Sequence, residues 1–290
     1  MSQTGAPRAP ERPTVTLLYA PADRPDLVVK ALASTADVVI IDLEDAVAPA
    51  HKQSARDALA GMLSSHPRRR VQVRVNAIET PWGALDLAAV ADLETHIGVR
   101  IPKVGSPTDV DEVARIVGAR HLHLLLETAR GIEAAYDIAR ADARVASVGL
   151  GEADLRSDLG VDGDDALAYA RSRLVIAARA AGLPAPSMSV YPNVRDDIGL
   201  ARSCAIGRSL GFLGRTAIHP RQLPVIVAAF APTDADLARA RLVLGAMRDA
   251  RHAGSGTVVL PDGTFLDVAM VERARRTVAL AAPGPHPDQF

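Results

Sequence analysis

The chain has 290 residues, room for one α/β barrel or two smaller domains. Apolar residues make up 48% and aromatic residues only 3%, so a continuous core has to be built from Val, Leu, Ile and Ala. A formal net charge of −1 excludes a basic field for nucleic acid or an anionic membrane, and any anionic ligand must be met by local Arg or Lys.

Met1–Arg12 is rich in Pro and polar residues and lacks the apolar stretch of a signal peptide, so residues 1–12 read as a disordered tail. From there short β-branched runs alternate with Ala-rich stretches of helical spacing. The runs are Val15–Tyr19, Val38–Asp42, Val71–Val75, Val99–Val104, Leu122–Leu126, Val145–Leu150, Met188–Tyr191 and Gly211–Ile218. Between them lie amphipathic stretches such as Lys52–Leu63, Thr108–Val117, Ile132–Ala141, Ala166–Ala181 and Asp197–Leu210. Strands that alternate with helices imply parallel βαβ units, and near-continuous apolar strands imply a sheet buried on both faces.

Eight such units predict an α/β fold closed into a (β/α)₈ TIM barrel over residues 13–232. An open doubly wound sheet would show a Gly-rich turn after its first strand, and here that turn is Ala20-Pro21-Ala22-Asp23-Arg24. Residues 233–290 are not needed for a barrel and read as an appendage. It comprises a helix over Thr233–Ala253, a hairpin of Thr257–Leu260 and Thr264–Asp267 turning at Asp262-Gly263, and a last helix over Ala269–Ala282. No run is long enough to span a membrane. The single cysteine, Cys204, permits no internal disulfide, which suits a reducing cytosol, and a cytoplasmic location is expected.

In such a barrel the chemistry sits at the carboxyl ends of the strands. Those ends carry Asp23 and Arg24, then Asp42-Leu43-Glu44-Asp45, Arg74 and Asn76, Lys103, Glu127, Gly151-Glu152-Ala153-Asp154, and His219. Burying one unpaired charge costs several kcal/mol, so a rim collecting charges from so many strands points to function more than to packing. Singly each has a structural reading: Thr128 or Asp154 can cap a helix, and a cation can pair with a neighbouring acid. Glu127 and Asp154 end adjacent predicted strands, so their carboxylates can converge. With water and a bidentate oxyacid they suit an octahedral, oxygen-loving ion such as Mg²⁺ rather than Zn²⁺. His121 and His123 alternate along one strand and point the same way; loop or interface positions are the expectation for them.

Taken in order, Ala20-Pro21-Ala22-Asp23-Arg24-Pro25, Asp42-Leu43-Glu44-Asp45-Ala46-Val47, Val73-Arg74-Val75-Asn76, Pro102-Lys103, Leu126-Glu127-Thr128-Ala129-Arg130-Gly131, Gly151-Glu152-Ala153-Asp154-Leu155 and Ile218-His219-Pro220 resemble the citrate lyase β-subunit-like proteins of the HpcH/HpaI aldolase group. That group includes malyl-CoA and citramalyl-CoA lyases, and the resemblance runs from about Val15 to Ala279. It implies that Glu127 and Asp154 hold Mg²⁺ and that Arg74 binds the oxyacid and stabilises enolate charge. Glu44 and Asp45 would stand near metal-bound waters, and Arg24 and Lys30 near the entrance for CoA phosphates. Gly151, Glu152 and Ala153 join Arg74, Arg24 and Lys30 as expected substrate-binding residues. Asp267 resembles an acid that reaches a neighbouring subunit's site, although capping of the last helix explains it equally simply.

The chain departs from the pattern at Gly105, where members often carry Glu, and at Met188 and Asn193, where many carry acids; Asp196 is kept. The activity implied is Mg²⁺-dependent carbon–carbon lysis, or Claisen condensation, of a 3-hydroxyacyl-CoA thioester such as citramalyl-CoA or malyl-CoA, giving acetyl-CoA and a 2-oxo acid. The partners implied are the small acid, the CoA thioester and a homotrimer or homohexamer. Three alternatives stay open: a CoA-independent class II aldolase of 2-oxo acids, a citrate lyase β-subunit fed by an acyl-carrier protein, and a barrel recruited for binding alone. The first usually relies on a His early in the barrel, and none precedes His51 here.

Overall fold

The computed structural model describes residues 13–64 and 69–281; the tail expected over residues 1–12 lies outside them. The chain divides into a unit spanning Thr14–Phe230 and a second one from Ala231 onward.

In the larger unit strands and helices alternate. The order is β1 Thr16–Pro21, α1 Pro25–Leu32, β2 Val38–Asp42, α2 Lys52–Ser64, β3 Val71–Arg74, α3 Gly83–Ala91, β4 Gly98–Ile101, α4 Pro107–Ile116, β5 Leu122–Leu126, α5 Ala129–Glu133, α6 Ala135–Ala139 and β6 Val145–Leu150. Then follow α7 Glu152–Leu159, α8 Ala168–Ala180, α9 Asp197–Leu210, β7 Arg215–Ala217 and α10 Gln222–Phe230. The strands form one parallel sheet in the order β6-β5-β4-β3-β2-β1-β7. Residues from all seven strands or the turns directly after them line one cavity, so the sheet curls into an α/β barrel.

The period of two divides each strand between two environments. Leu18, Val39, Ile41, Val73, Val99 and Leu124 face outward into the main aliphatic core shared with the helices. Leu17, Val38 and Ile40 form a small inner cluster against Tyr19. Gln72, Arg74, Arg100 and His123 lie on that same inner face. The barrel interior is therefore apolar on one side and polar on the other.

The strand expected at Met188–Tyr191 is reduced to one bridge, Met188 to Arg215. Met188 donates its N–H to the Gly214 carbonyl (2.9 Å) and accepts from the Thr216 N–H (3.0 Å). Pro184, Pro186 and Pro192 flank this segment, and a residue without an N–H cannot extend a ladder. The helical run Ile132–Ala141 breaks at Ala134 into α5 and α6. Helix α8 begins at Ala168 after a 3₁₀ turn over Asp165–Leu167.

In the second unit, α11 Asp234–His252 starts at a capping box between Thr233 and Asp236. The hairpin pairs β8 Val258–Val259 with β9 Phe265–Leu266 antiparallel, and Gly263 takes a positive φ of 81° in the turn. α12 Val268–Ala281 begins one residue before the expected Ala269. Ala240, Val243, Met247, Leu260, Leu266, Val271 and Ala274 make this unit's own core. Among the described residues no helix is long and apolar enough to cross a membrane.

Candidate active site

Registry places the first part of the site. Asp42, the last residue of β2, is opposite Arg74, the last residue of β3. The two make a bidentate pair, Nε to Oδ1 at 2.7 Å and Nη2 to Oδ2 at 2.6 Å. Asp42 is buried and also accepts the N–H groups of Glu44 (3.0 Å) and Ala46 (3.1 Å), which fixes the turn carrying the next two acids. The Arg74 guanidinium stacks over the Tyr19 ring at 4.7 Å, and its Nη1 stands 3.0 Å from Glu44 Oε2 and 3.5 Å from Asp45 Oδ2. Burial alone would lower the Arg74 pKa, but the hydrogen bonds it donates to Asp42 and the charges of Tyr19, Asp42 and Glu44 outweigh that and raise it.

Glu44 is pushed up to about 7, first by burial and then by Asp45 and Glu127, with Arg74 and Lys103 opposing. Its Oε2 meets Arg74 as an ion pair but accepts no aligned hydrogen bond. Lys103 reaches Glu44 Oε1 with its Nζ at 3.2 Å and donates its backbone N–H to Glu127 Oε2 at 2.9 Å. It does so from a φ of 55°, the one positive φ of a non-glycine among the described residues.

The other part of the site is acidic. Glu127 follows β5 and is buried; Asp154 lies in the first turn of α7, which follows β6. Burial first, and Asp154 second, hold the Glu127 carboxyl above its usual range. Neither acid has an ion-pair partner among the described residues. Gly151 makes their approach possible: a Cβ there would stand 2.1 Å from Glu127 Oε1. Glu152 is gripped by Arg171 of α8 through two bonds of 2.8 Å, and Arg171 also binds Asp164.

A cavity of about 350 Å³ joins the two parts, and Arg74, Asp45, Glu127, Asp154, Gly151, Glu152 and Ala153 stand on its wall. Glu44 lines a neighbouring cavity with Lys103, Lys52 and Trp82. Arg24 is exposed and paired with Asp26 (3.0 Å), and Lys30 lies in the last turn of α1; neither lines these cavities. Asp267 belongs to the second unit, directly before α12. Thr128 does cap α5, accepting the Gly131 N–H. His123 is no loop residue: it lies inside the barrel, Nδ1 2.8 Å from Ser147 Oγ, with burial holding it neutral. Sequence reasoning missed Tyr19, Arg100 and Arg171 as parts of the site and left Asp42 without a role. Period-two alternation along β4, with Val99 and Ile101 facing the main core, would have put Arg100 on the inner face.

A curled parallel α/β sheet with carboxylates and arginines on the carboxyl ends of its strands defines a barrel enzyme. The chain matches the HpcH/HpaI aldolase/citrate lyase family over residues 15–220 and belongs to it. It is thus an enzyme of the carbon–carbon lyase type. It is 36% identical to a (3S)-malyl-CoA thioesterase of Cereibacter sphaeroides over 93% of this chain and 95% of that one. It is 33% identical to a citrate lyase subunit beta of Leuconostoc mesenteroides, covering 93% and 94%. Among solved structures, CitE of Mycobacterium tuberculosis in complex with magnesium, acetoacetate and coenzyme A aligns with a TM-score of 0.80 at 34% identity, over 93% of this chain and 99% of that one.

Proposed function

We propose that the chain is a Mg²⁺-dependent lyase that cleaves a 3-hydroxyacyl-CoA thioester such as citramalyl-CoA or malyl-CoA into acetyl-CoA and a 2-oxo acid, or joins them by Claisen condensation. The observation that carries this reading is the pair Glu127 and Asp154, two acids on one cavity wall, neither in an ion pair among the described residues. The donor set fits the ion. No cluster of three or more His, Cys, Asp or Glu suited to a metal exists among the described residues. Mg²⁺ needs only one or two carboxylates, taking its remaining ligands from water and substrate. Bound by Glu127 and Asp154, it would supply Lewis-acid polarisation of the acid's 2-oxygen. The family relatives named for CoA thioesters and the relative holding magnesium and coenzyme A support the same reading.

The chain's own groups divide the remaining work. Arg74, held flat by Asp42 and Tyr19, offsets negative charge that develops on the thioester enolate during bond cleavage. Glu44 and Asp45 border that guanidinium, and Glu44, titrating near neutrality, can give or take a proton at the waters of the site. In the condensing direction Asp267, delivered from a neighbouring copy in a homotrimer or homohexamer, removes the α-proton of acetyl-CoA. The relative named as a thioesterase supports a second outcome, hydrolysis of the thioester by the same site.

A panel of citramalyl, malyl, β-methylmalyl and citryl thioesters of CoA, assayed with Mg²⁺ and with EDTA, tests the reading. Release of a 2-oxo acid and acetyl-CoA marks the lyase; release of CoA with the intact hydroxy acid marks hydrolysis. Full turnover in EDTA rejects the metal role. Mixing Asp267→Asn with Arg74→Ala subunits should return part of the activity that each lacks. If subunits exchange and no activity returns, the delivery of Asp267 in trans is wrong.

A further inference from the structure

Only three of the chain's 33 Lys and Arg residues are lysines, Lys30, Lys52 and Lys103. Two of these meet at Glu44: Lys103 reaches its carboxylate and Lys52 its backbone. Lys52 opens α2 and is 5% exposed. Its Nζ donates to the carbonyls of Leu43 and Glu44, both at 2.9 Å, and stands 5.0 Å from the centre of the Trp82 ring. Among the described residues Lys52 makes no ion pair. Burial pulls the ammonium below the usual lysine range, and the charges of Asp86, Asp42, Glu44 and Asp45 oppose that.

Hydrogen-bond satisfaction does not explain an ammonium at this position. The Leu43 carbonyl also accepts from Asn76 Nδ2 at 2.9 Å, and the Glu44 carbonyl also accepts the Val47 N–H at 3.1 Å. An apolar side chain at position 52 would orphan neither carbonyl and would avoid the cost of desolvating a charge. Arg120 is likewise a buried cation on carbonyls, those of Ala91, Leu93 and Val117, but it stands just before β5, at the amino ends of the strands. Lys52 stands at the carboxyl ends, on the wall of the second cavity, and the turn it holds carries Glu44 and Asp45. Asp42 grips that turn by the N–H groups of Glu44 and Ala46; Lys52 grips it by its carbonyls. Held by both, the turn brings the Glu44 carboxylate to Arg74 Nη1 (3.0 Å) and Lys103 Nζ (3.2 Å).

We propose that Lys52 is a positioning residue for the reaction: by clamping the carbonyls of Leu43 and Glu44 it fixes the turn from which the Glu44 carboxyl meets Arg74 and Lys103. This rests on the reading of Glu44 as the group that gives or takes a proton. The compact ammonium on a four-carbon stem fits between the turn and the Trp82 ring, where a guanidinium would need more room.

The experiment is a double-mutant cycle of Lys52→Met, Glu44→Gln and the two combined, assayed on citramalyl-CoA and malyl-CoA with Mg²⁺. Lys52→Met should lower kcat by about 10²-fold, the cost of a catalytic group misplaced by ~1 Å, and should change KM and the Mg²⁺ concentration for half activity by less than about threefold. Glu44→Gln should lower kcat by about 10²-fold as well, and the combined variant should be no slower than the slower single one, because Lys52 acts through Glu44. Thermal unfolding of metal-free Lys52→Met should change little, since both carbonyls keep their other donors. Lys52→Arg, which keeps a charge and donors, should recover part of kcat beside Glu44 and none beside Gln at position 44; the same cycle run with it decides the question if Lys52→Met fails to fold. An unchanged kcat, a loss that falls on KM instead, or losses that multiply in the combined variant would show the assignment of Lys52 to be wrong while the reading of Glu44 stands. If Glu44→Gln turns over like the wild type, or the wild type cleaves neither thioester, the reading of Glu44 fails and the assignment falls with it.

Discussion

The two sides of the cavity mouth solve opposite electrostatic problems. On the side built from β2 and β3, charges are answered within the chain: Asp42 grips Arg74 in two bonds, and Glu44 is met by Arg74 and Lys103. On the side built from β5 and β6, Asp154 raises the cost of the Glu127 charge, and one backbone N–H is the only hydrogen-bond donor to Glu127 among the described residues. The contrast separates two kinds of preparation. The first side is rigid before any ligand arrives, and its groups hold their geometry at no further entropic cost. The second is poised for a cation, because a buried acid with a second acid beside it gains most from one.

The largest effect should come from breaking the acidic side. Glu127→Gln or Asp154→Asn should cut Mg²⁺-dependent turnover by on the order of 10³-fold or more, since Lewis-acid assistance is worth several kcal/mol. Either change should leave the melting temperature of the metal-free protein unchanged or raised, because a like-charge contact is removed. Steady-state rates against Mg²⁺ concentration, with parallel thermal unfolding, read both.

Breaking the paired side should cost less. Arg74→Lys keeps the charge and loses the planar fork that Asp42 holds, so kcat should fall by about 10²-fold with the Mg²⁺ dependence preserved. Kinetics identical to the wild type would assign Arg74 to the ion-pair network alone.

The last effect concerns pH and is read in stability, with the smallest consequence for turnover. Glu44 titrates at about 7 in the folded chain against 4.5 in the reference state, with burial as the main cause. A carboxyl whose folded pKa is raised contributes its stability in full below the unfolded value and loses it as pH rises through the folded one. Metal-free protein should therefore lose up to about 3 kcal/mol between roughly pH 4.5 and 7 from this group. Denaturant midpoints of Glu44→Gln should show a flatter profile over that window. An unchanged slope would mean that Arg74 and Lys103 already hold Glu44 ionised.

Much of the barrel could be read from the chain because its strands are uninterrupted aliphatic runs, and β2, β5 and β6 begin and end where those runs do. The segment around Met188 deceived the same reasoning. Its side chains look like a strand's, but the prolines on either side withhold the N–H groups a ladder requires. Acids at strand ends stand out in a sequence because an apolar run stops there, which is how Glu127 was visible. Arg100 lay inside a predicted run and passed as its interior. Only the curling of the sheet turns the inner face of β4 into the wall of a cavity. The grip of Arg171 on Glu152 spans two helices and has no local signature at all.

Lys103 ties these two sides through one residue. Its side chain ends on Glu44 and its amide on Glu127, and a left-handed backbone sets the distance between them. A conformation of that kind costs about 1–3 kcal/mol in a residue with a Cβ. Glycine would adopt it freely but would not reach Glu44; a β-branched residue would resist it and still lack the ammonium. The position therefore works as a gauge block between the two acids: whatever moves one moves the reference from which the other is placed, and a substitution there should register in both metal affinity and the Glu44 titration at once.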